Sequence, residues 1–191
     1  MKTIVNTLTC LILFVSLSFC ARAQAVPDTA RLAIGIEAGL PEGNINLRYT
    51  TSLGASARFD LPISKKSFLT ASVGFNNFFL ADASTTTQTA ILNVPVQTLK
   101  TMPIKIGYKY FLAKHFYTQL EMGETQLLNQ TAEYATKSYA FTYAPQIGMM
   151  FPLKNHNFID AGVRYEFVSS FYNDSDKYNF WGVHISYSFK L

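Results

Sequence analysis
Cysteine occurs only at Cys10 and Cys20 of the 191 residues, and both positions fall in an N-terminal stretch with the pattern of a secretion signal. That stretch has Lys2, an apolar run over residues 8–19, and the small-x-small site Ala21-Arg22-Ala23. Removing residues 1–23 leaves a chain without a thiol, which excludes disulfides, zinc–cysteine centres and thiol catalysis. Charge is also sparse, at 15% of residues. Of the 16 basic residues, Lys2 and Arg22 leave with the signal, so 14 remain against 12 acidic ones, a net +2. So even a balance gives no case for a nucleic-acid partner. The three histidines have no metal-ligand spacing, and neither a metal nor another cofactor is expected. After the signal, no stretch approaches the roughly 18 consecutive apolar residues of a membrane helix. A membrane location is then open to the mature chain only as a closed barrel, because an open sheet would leave backbone groups unpaired in hydrocarbon.

The most ordered pattern is at the end of the chain. Over residues 180–191, Trp181, Val183, Ile185, Tyr187, Phe189 and Leu191 share one parity, against Gly182, His184, Ser186, Ser188 and Lys190 on the other. In a strand, opposite parities are opposite faces. The apolar face is aromatic toward both ends and aliphatic in the middle, the grading of a wall that crosses a bilayer between interfacial aromatic belts. An aromatic-rich last strand also resembles the signal read by the barrel insertion machinery of outer membranes, which is an expected partner along with outer-membrane lipid. A cleaved signal has one alternative: Leu17-Ser18-Phe19-Cys20 loosely resembles a lipobox, although bulky Phe19 precedes the cysteine.

The same alternation recurs in residues 31–39, 53–61, 69–76, 102–110, 116–123, 139–151 and 159–167, which predicts eight strands. Short links at 62–67, 112–115 and 152–157 alternate with longer connections at 40–51, 80–99, 124–138 and 169–177. Short periplasmic turns and long outer loops are the habit of bacterial transmembrane barrels. The organisation expected is a signal peptide at 1–23, a periplasmic lead-in at 24–30, and an all-β, eight-stranded antiparallel transmembrane β-barrel at 31–191.

A soluble, lipocalin-like barrel would also have eight alternating strands, with its apolar side chains inside. Two counts favour the membrane. None of roughly 40 apolar-face positions is Asp, Glu, Lys or Arg, where about six would fall by chance, and each at mid-bilayer would cost about 2–4 kcal/mol. Nine of the ten glycines, all but Gly43, lie on the polar face. An eight-stranded barrel has an interior just wide enough for side chains, so the glycine-rich face is expected to be the crowded, inward one. Pro145 falls mid-strand on the apolar parity, where a bulge or a missing ladder bond is expected.

Residues 102–111, MPIKIGYKYF, and 143–148, YAPQIG, taken with the signal and the eight amphipathic strands, resemble the Bacteroidetes outer-membrane β-barrel (PorT-like) family. The resemblance covers the mature chain through diffuse patterns. It implies an outer-membrane barrel; most members have no assigned function, and PorT itself is linked to type IX secretion, so envelope or secretion proteins are the implied partners. No site residue transfers.

The inward charges are Glu37, Arg58, Lys105, Lys109, Glu121, Asp160, Arg164 and Glu166. In so narrow a lumen they are expected to bridge one another and plug it. The network expected is Glu37, Lys105, Glu121 and Arg164, with Lys105 directly opposite Glu121 if paired residue numbers across the turn at 112–115 sum to about 226. His184-Ile185-Ser186 resembles the His-x-Ser of barrel lipid A deacylases, but Tyr187-Ser188 departs from their continuation, and no partner acid is evident. No catalytic residue is assigned. A non-enzymatic barrel serving envelope structure, surface interaction or a secretion assembly is expected, with a lipid A-modifying barrel enzyme as the alternative.

Overall fold
The computed structural model describes residues 29–47, 49–80, 98–129, 137–169, 171 and 178–191; the expected signal at 1–23, most of the expected lead-in at 24–30 and parts of three long connections lie outside them. Eight antiparallel strands close into a barrel in sequence order: β1 (Arg31–Glu42), β2 (Tyr49–Ser64), β3 (Ser67–Leu80), β4 (Leu99–Phe111), β5 (Phe116–Leu127), β6 (Tyr139–Pro152), β7 (Phe158–Val168) and β8 (Tyr178–Lys190). β8 returns to β1, with Ile36 opposite Ile185 and Arg31 opposite Lys190, so no edge remains. The bond from Leu191 N–H to Ala30 O extends this seam past both strand ends.

The two parities separate by face. Ile36 is 70% exposed and Ile106 63%, whereas Lys109 and Asp160 are wholly buried. Apolar residues are therefore outside and charged residues inside, the reverse of a soluble lipocalin-like calyx. On the outer surface, Tyr143 stacks on Phe167 at 4.4 Å, and Tyr165 meets Trp181 edge-on at 4.8 Å, near the long-connection end. Tyr187 and Phe189 pair at 4.7 Å near the short-turn end.

Several strands run past the spans read from sequence. β2 has 16 residues and β3 has 14, against the roughly 9–11 needed to cross a bilayer. The larger part of the excess lies toward the long-connection end, where a 3₁₀ turn, Gly43–Leu47, joins β1 to β2. There the outward parity becomes polar, with Glu42, Lys100, Glu124 and Gln126 all exposed, as befits strand ends that rise out of the hydrocarbon.

Pro145 causes no bulge. Its neighbours keep one register, Tyr143 opposite Phe167 and Gln146 opposite Arg164, but the pairs expected at Ala144 and Pro145 are missing from the β6–β7 ladder. Pro103 leaves the same gap between β3 and β4, where Val73–Ile104 and Asn76–Thr101 are in register on either side. Lacking an N–H, each proline releases its neighbour locally without shifting the strand.

Candidate functional site in the barrel lumen
Inward parity carries every charged side chain of the interior, and the register explains how such large groups fit. Lys105 is paired with Gly123, Glu121 with Gly107, Glu37 with Gly54, Arg164 with Gly182, His184 with Gly162, and Tyr117 with Gly148. Each long side chain lies over a neighbouring strand that has no side chain in the way. A Cβ on Gly148 would come within 2.4 Å of the Tyr117 ring, and one on Gly107 within 2.8 Å of Glu121 Cγ.

Two linked clusters result. Nearer the short turns, Arg58 Nε donates to Asp60 Oδ1 at 2.9 Å while its Nη2 donates to Asp160. Lys109 Nζ donates to Asp60 Oδ2 at 2.7 Å and lies 4.5 Å from the centre of the Tyr117 ring. The Tyr117 hydroxyl donates to Asp160 Oδ1 at 2.7 Å, and His184 Nε2 is 3.3 Å from that hydroxyl and 3.6 Å from Asp160.

The second cluster lies above it. Arg164 Nη2 donates to Glu37 Oε2 at 2.5 Å, and its Nε is within ion-pair distance of Glu166, at 2.9 Å, without the alignment of a hydrogen bond. Lys105 Nζ donates to Glu166 Oε2 at 2.9 Å and is 3.6 Å from Glu121. Glu121 also accepts from Ser72 at 3.0 Å and Gln119 at 2.9 Å. Five carboxylates thus face four permanent cations, with His184 beside them, and every one of these groups is buried.

Glu37, Lys105, Glu121 and Arg164 therefore meet in one cluster, but the expected register is wrong by two residues. Paired numbers on β4 and β5 sum to 228, with Lys105 opposite Gly123 and Glu121 opposite Gly107. Lys105 reaches Glu121 only diagonally, and its nearer partner is Glu166 on β7, across the lumen. The count misplaced the pair because Phe111 is paired with Tyr117 rather than with His115, and Leu112 N–H and Ala113 N–H both bond to Phe116 O across the turn.

The sequence reading left Asp60 and Tyr117 out of the network, although both were on the inward parity. The alternation of charge with glycine was the signal available for Tyr117; nothing short of the closed register pointed Asp60 at Lys109, 49 residues away.

The lumen is not polar throughout. Toward the long-connection end it is closed by an apolar layer that includes Tyr49, Phe78, Leu99, Leu127, Tyr178 and Phe180, with Ile45 of the 3₁₀ turn and Phe171 packed on it. Phe78 meets Phe180 edge-on at 5.4 Å. Among the charges, the space bordered by Glu37, Lys105, Glu121 and Arg164 is a cavity of about 20 Å³, room for about one water. Among the described residues, no group of His, Cys, Asp and Glu could hold a metal ion. His184 and Ser186 face the lumen, 4% and 5% exposed, away from the lipid side.

No family model and no curated protein matches the chain. Solved structures match it in fold. The outer membrane protein OprG from Pseudomonas aeruginosa is 12% identical, with 88% of this chain and 98% of that one covered at a TM-score of 0.52. Ail, the attachment invasion locus protein of Yersinia pestis, is 13% identical, with 85% and 99% covered and a TM-score of 0.50. Its backbone structure in a phospholipid bilayer nanodisc is 14% identical over the same shares, also at 0.50. At these identities the likeness is one of fold, that of the small outer-membrane β-barrel. With an uncharged apolar girdle on its outer wall, the protein is a barrel of the cell outer membrane.

Proposed function
We propose that the protein is a non-enzymatic wall and scaffold in the outer membrane, a barrel whose lumen is shut and whose outer rim presents long connections for surface interaction, envelope structure or a secretion assembly. The observation that carries this reading is the filled interior: a buried network of ion-paired side chains, a space of about one water among them, and an apolar cap in series with it. An ion entering such a lumen would have to break buried pairs and then cross a dry aromatic layer. Purified protein in planar bilayers is expected to show no steady conductance; stable ohmic channels would overturn the reading.

Among the roles open to a closed barrel, the resemblance of residues 102–111 and 143–148 to the PorT-like family favours a secretion assembly. Deleting the gene and measuring export of secreted proteins tests that finer assignment, with unchanged export counting against it. A lipid A-modifying enzyme finds no support, since the inward orientation of His184 and Ser186 keeps both from the lipid. Lipid A mass spectra of wild type and deletion should coincide.

A further inference from the structure
The lumen is closed in its middle and at its outer end, yet the mouth that carries the short turns, the start of β1 and the end of β8 stays open. A cavity of about 440 Å³ lies there, within the range of small-ligand sites. Its floor is apolar: Phe68, Phe111, Met150 and Phe158 surround the Arg31 guanidinium, which is 4.8 Å from the ring centres of both Phe68 and Phe158 and donates to Met150 Sδ at 3.3 Å. Its rim is basic: Lys65 and Lys66 come from the β2–β3 turn, and Lys114 and His115 from the β4–β5 turn. Among the described residues, no Asp or Glu lines the cavity. The carboxylates beneath it, Asp60 and Asp160, are already bonded to Arg58 and Lys109.

We propose that this vestibule is a binding site for an acidic, aromatic- or aliphatic-bearing peptide segment presented from the periplasm. Charge complementarity sets the sign, since three exposed lysines converge on a cavity that no Asp or Glu among the described residues lines. The floor sets the second requirement, because an apolar side chain entering over the half-buried Phe111 and Phe158 would remove apolar surface from water. Orientation favours a soluble chain over a membrane lipid: the floor residues are on the inward parity and open along the barrel axis, whereas bilayer lipid contacts the outward parity. The site goes beyond the closed-wall reading and does not depend on it, because the vestibule is below the plug and would exist whether or not ions leak through.

The test uses the full mature barrel refolded in zwitterionic detergent and a fluorescein-labelled, N-acetylated and C-amidated Glu-Phe-Asp-Phe-Glu peptide, followed by anisotropy. Saturable binding that weakens as salt rises is expected, with no comparable binding of Lys-Phe-Lys-Phe-Lys. The double variant Lys66→Glu, Lys114→Glu should weaken binding about tenfold, while Lys100→Glu at the opposite rim should leave it unchanged. Heat-modifiable migration checks that each variant is folded; if the double variant is not, Lys114→Gln in the exposed turn replaces it and should give a smaller loss in the same direction. Equal affinity for the acidic and basic peptides, or binding indifferent to the lysine changes, would overturn the proposal. So would displacement of the peptide by glycerol phosphate or phosphatidylglycerol vesicles at lower concentration, which would make an anionic headgroup the better ligand.

Discussion

Glu166 holds two cations at once, Lys105 at 2.9 Å and the Nε of Arg164 at 2.9 Å, while Glu121 is 3.6 Å from Lys105 and draws its shorter bonds from Ser72 and Gln119. Removing one partner of a buried pair leaves an uncompensated charge, at a cost of about 3–5 kcal/mol. Glu166→Ala should therefore lower thermal stability by that order, and Glu121→Ala by clearly less, because Lys105 keeps its closer partner. Denaturation of refolded barrels in lipid vesicles measures both; the opposite ranking would mean that the neighbouring-strand contact dominates. Glycine opposite a long side chain is the complementary feature. A Cβ on Gly107 would be 2.5 Å from Leu120 O and 2.8 Å from both Glu121 Cγ and Thr70 Oγ1. Gly107→Val should destabilise by about 1–3 kcal/mol through overpacking, seen as a lower unfolding midpoint in urea. At this scale the sequence showed which residues face inward, since parity is local. It did not show which of them touch, because Lys105 and Glu166 are joined by closure of the barrel across 61 residues.

A strand here answers to two solvents along its length. Mid-strand, Ile106 faces hydrocarbon and is 63% exposed on the isolated barrel, whereas Gln126, on the same outward surface, is at the rim. Arginine at the first should cost about 2–4 kcal/mol, and at the second about 0–1 kcal/mol, by the depth dependence of charges on lipid-facing walls. Ile106→Arg should then deplete the folded, heat-modifiable form in membranes while Gln126→Arg should not, and equal tolerance would contradict the assigned depth. Strand existence and facing were legible in the alternation itself. The ends were not: Glu124 looked like the start of a connection because a charge breaks the apolar pattern, yet β5 runs to Leu127. A ladder needs only a paired backbone, so it continues beyond the bilayer where the outward side chains turn polar. Pro145 and Pro103 also read differently in the assembled sheet, each opening a gap on one side of its strand while the ladder on the other side holds the register.

For the whole molecule, closure gives resistance to detergent, and the mature protein should fractionate with the outer membrane and migrate faster unheated than boiled. Recovery from the soluble periplasm without detergent would contradict this. The aromatic cap adds a second seal. Phe180 is 3% exposed, against Phe78 at 5.4 Å and within 5.9 Å of the Arg164 guanidinium. Phe180→Ala should lower stability by about 3–5 kcal/mol, the usual loss for a buried aromatic, yet leave the bilayer conductance at zero because the charge network below remains. Conductance appearing in that variant alone would show that the cap is the real barrier and the network merely lines it.

Alternation with a period of two, an apolar parity free of charge, and glycines confined to the other parity determined the strand count, the inside and the outside, and the bilayer as the solvent of the outer wall. Those properties depend on each residue and its near neighbours, so the sequence states them directly. The pairing of Asp60 with Lys109 and of Glu37 with Arg164, the β4–β5 register, and the apolar cap assembled from Tyr49, Phe78, Leu127 and Phe180 were decided only by the tertiary structure. Tyr49 shows why. In sequence it sits in a polar connection on the parity of the lipid face, but an irregularity in the β2–β3 register between Tyr49 and Thr51 leaves it buried against Phe78. A shift of one residue reverses the face of a side chain, and its position is set by the neighbouring strand rather than by the residues on either side.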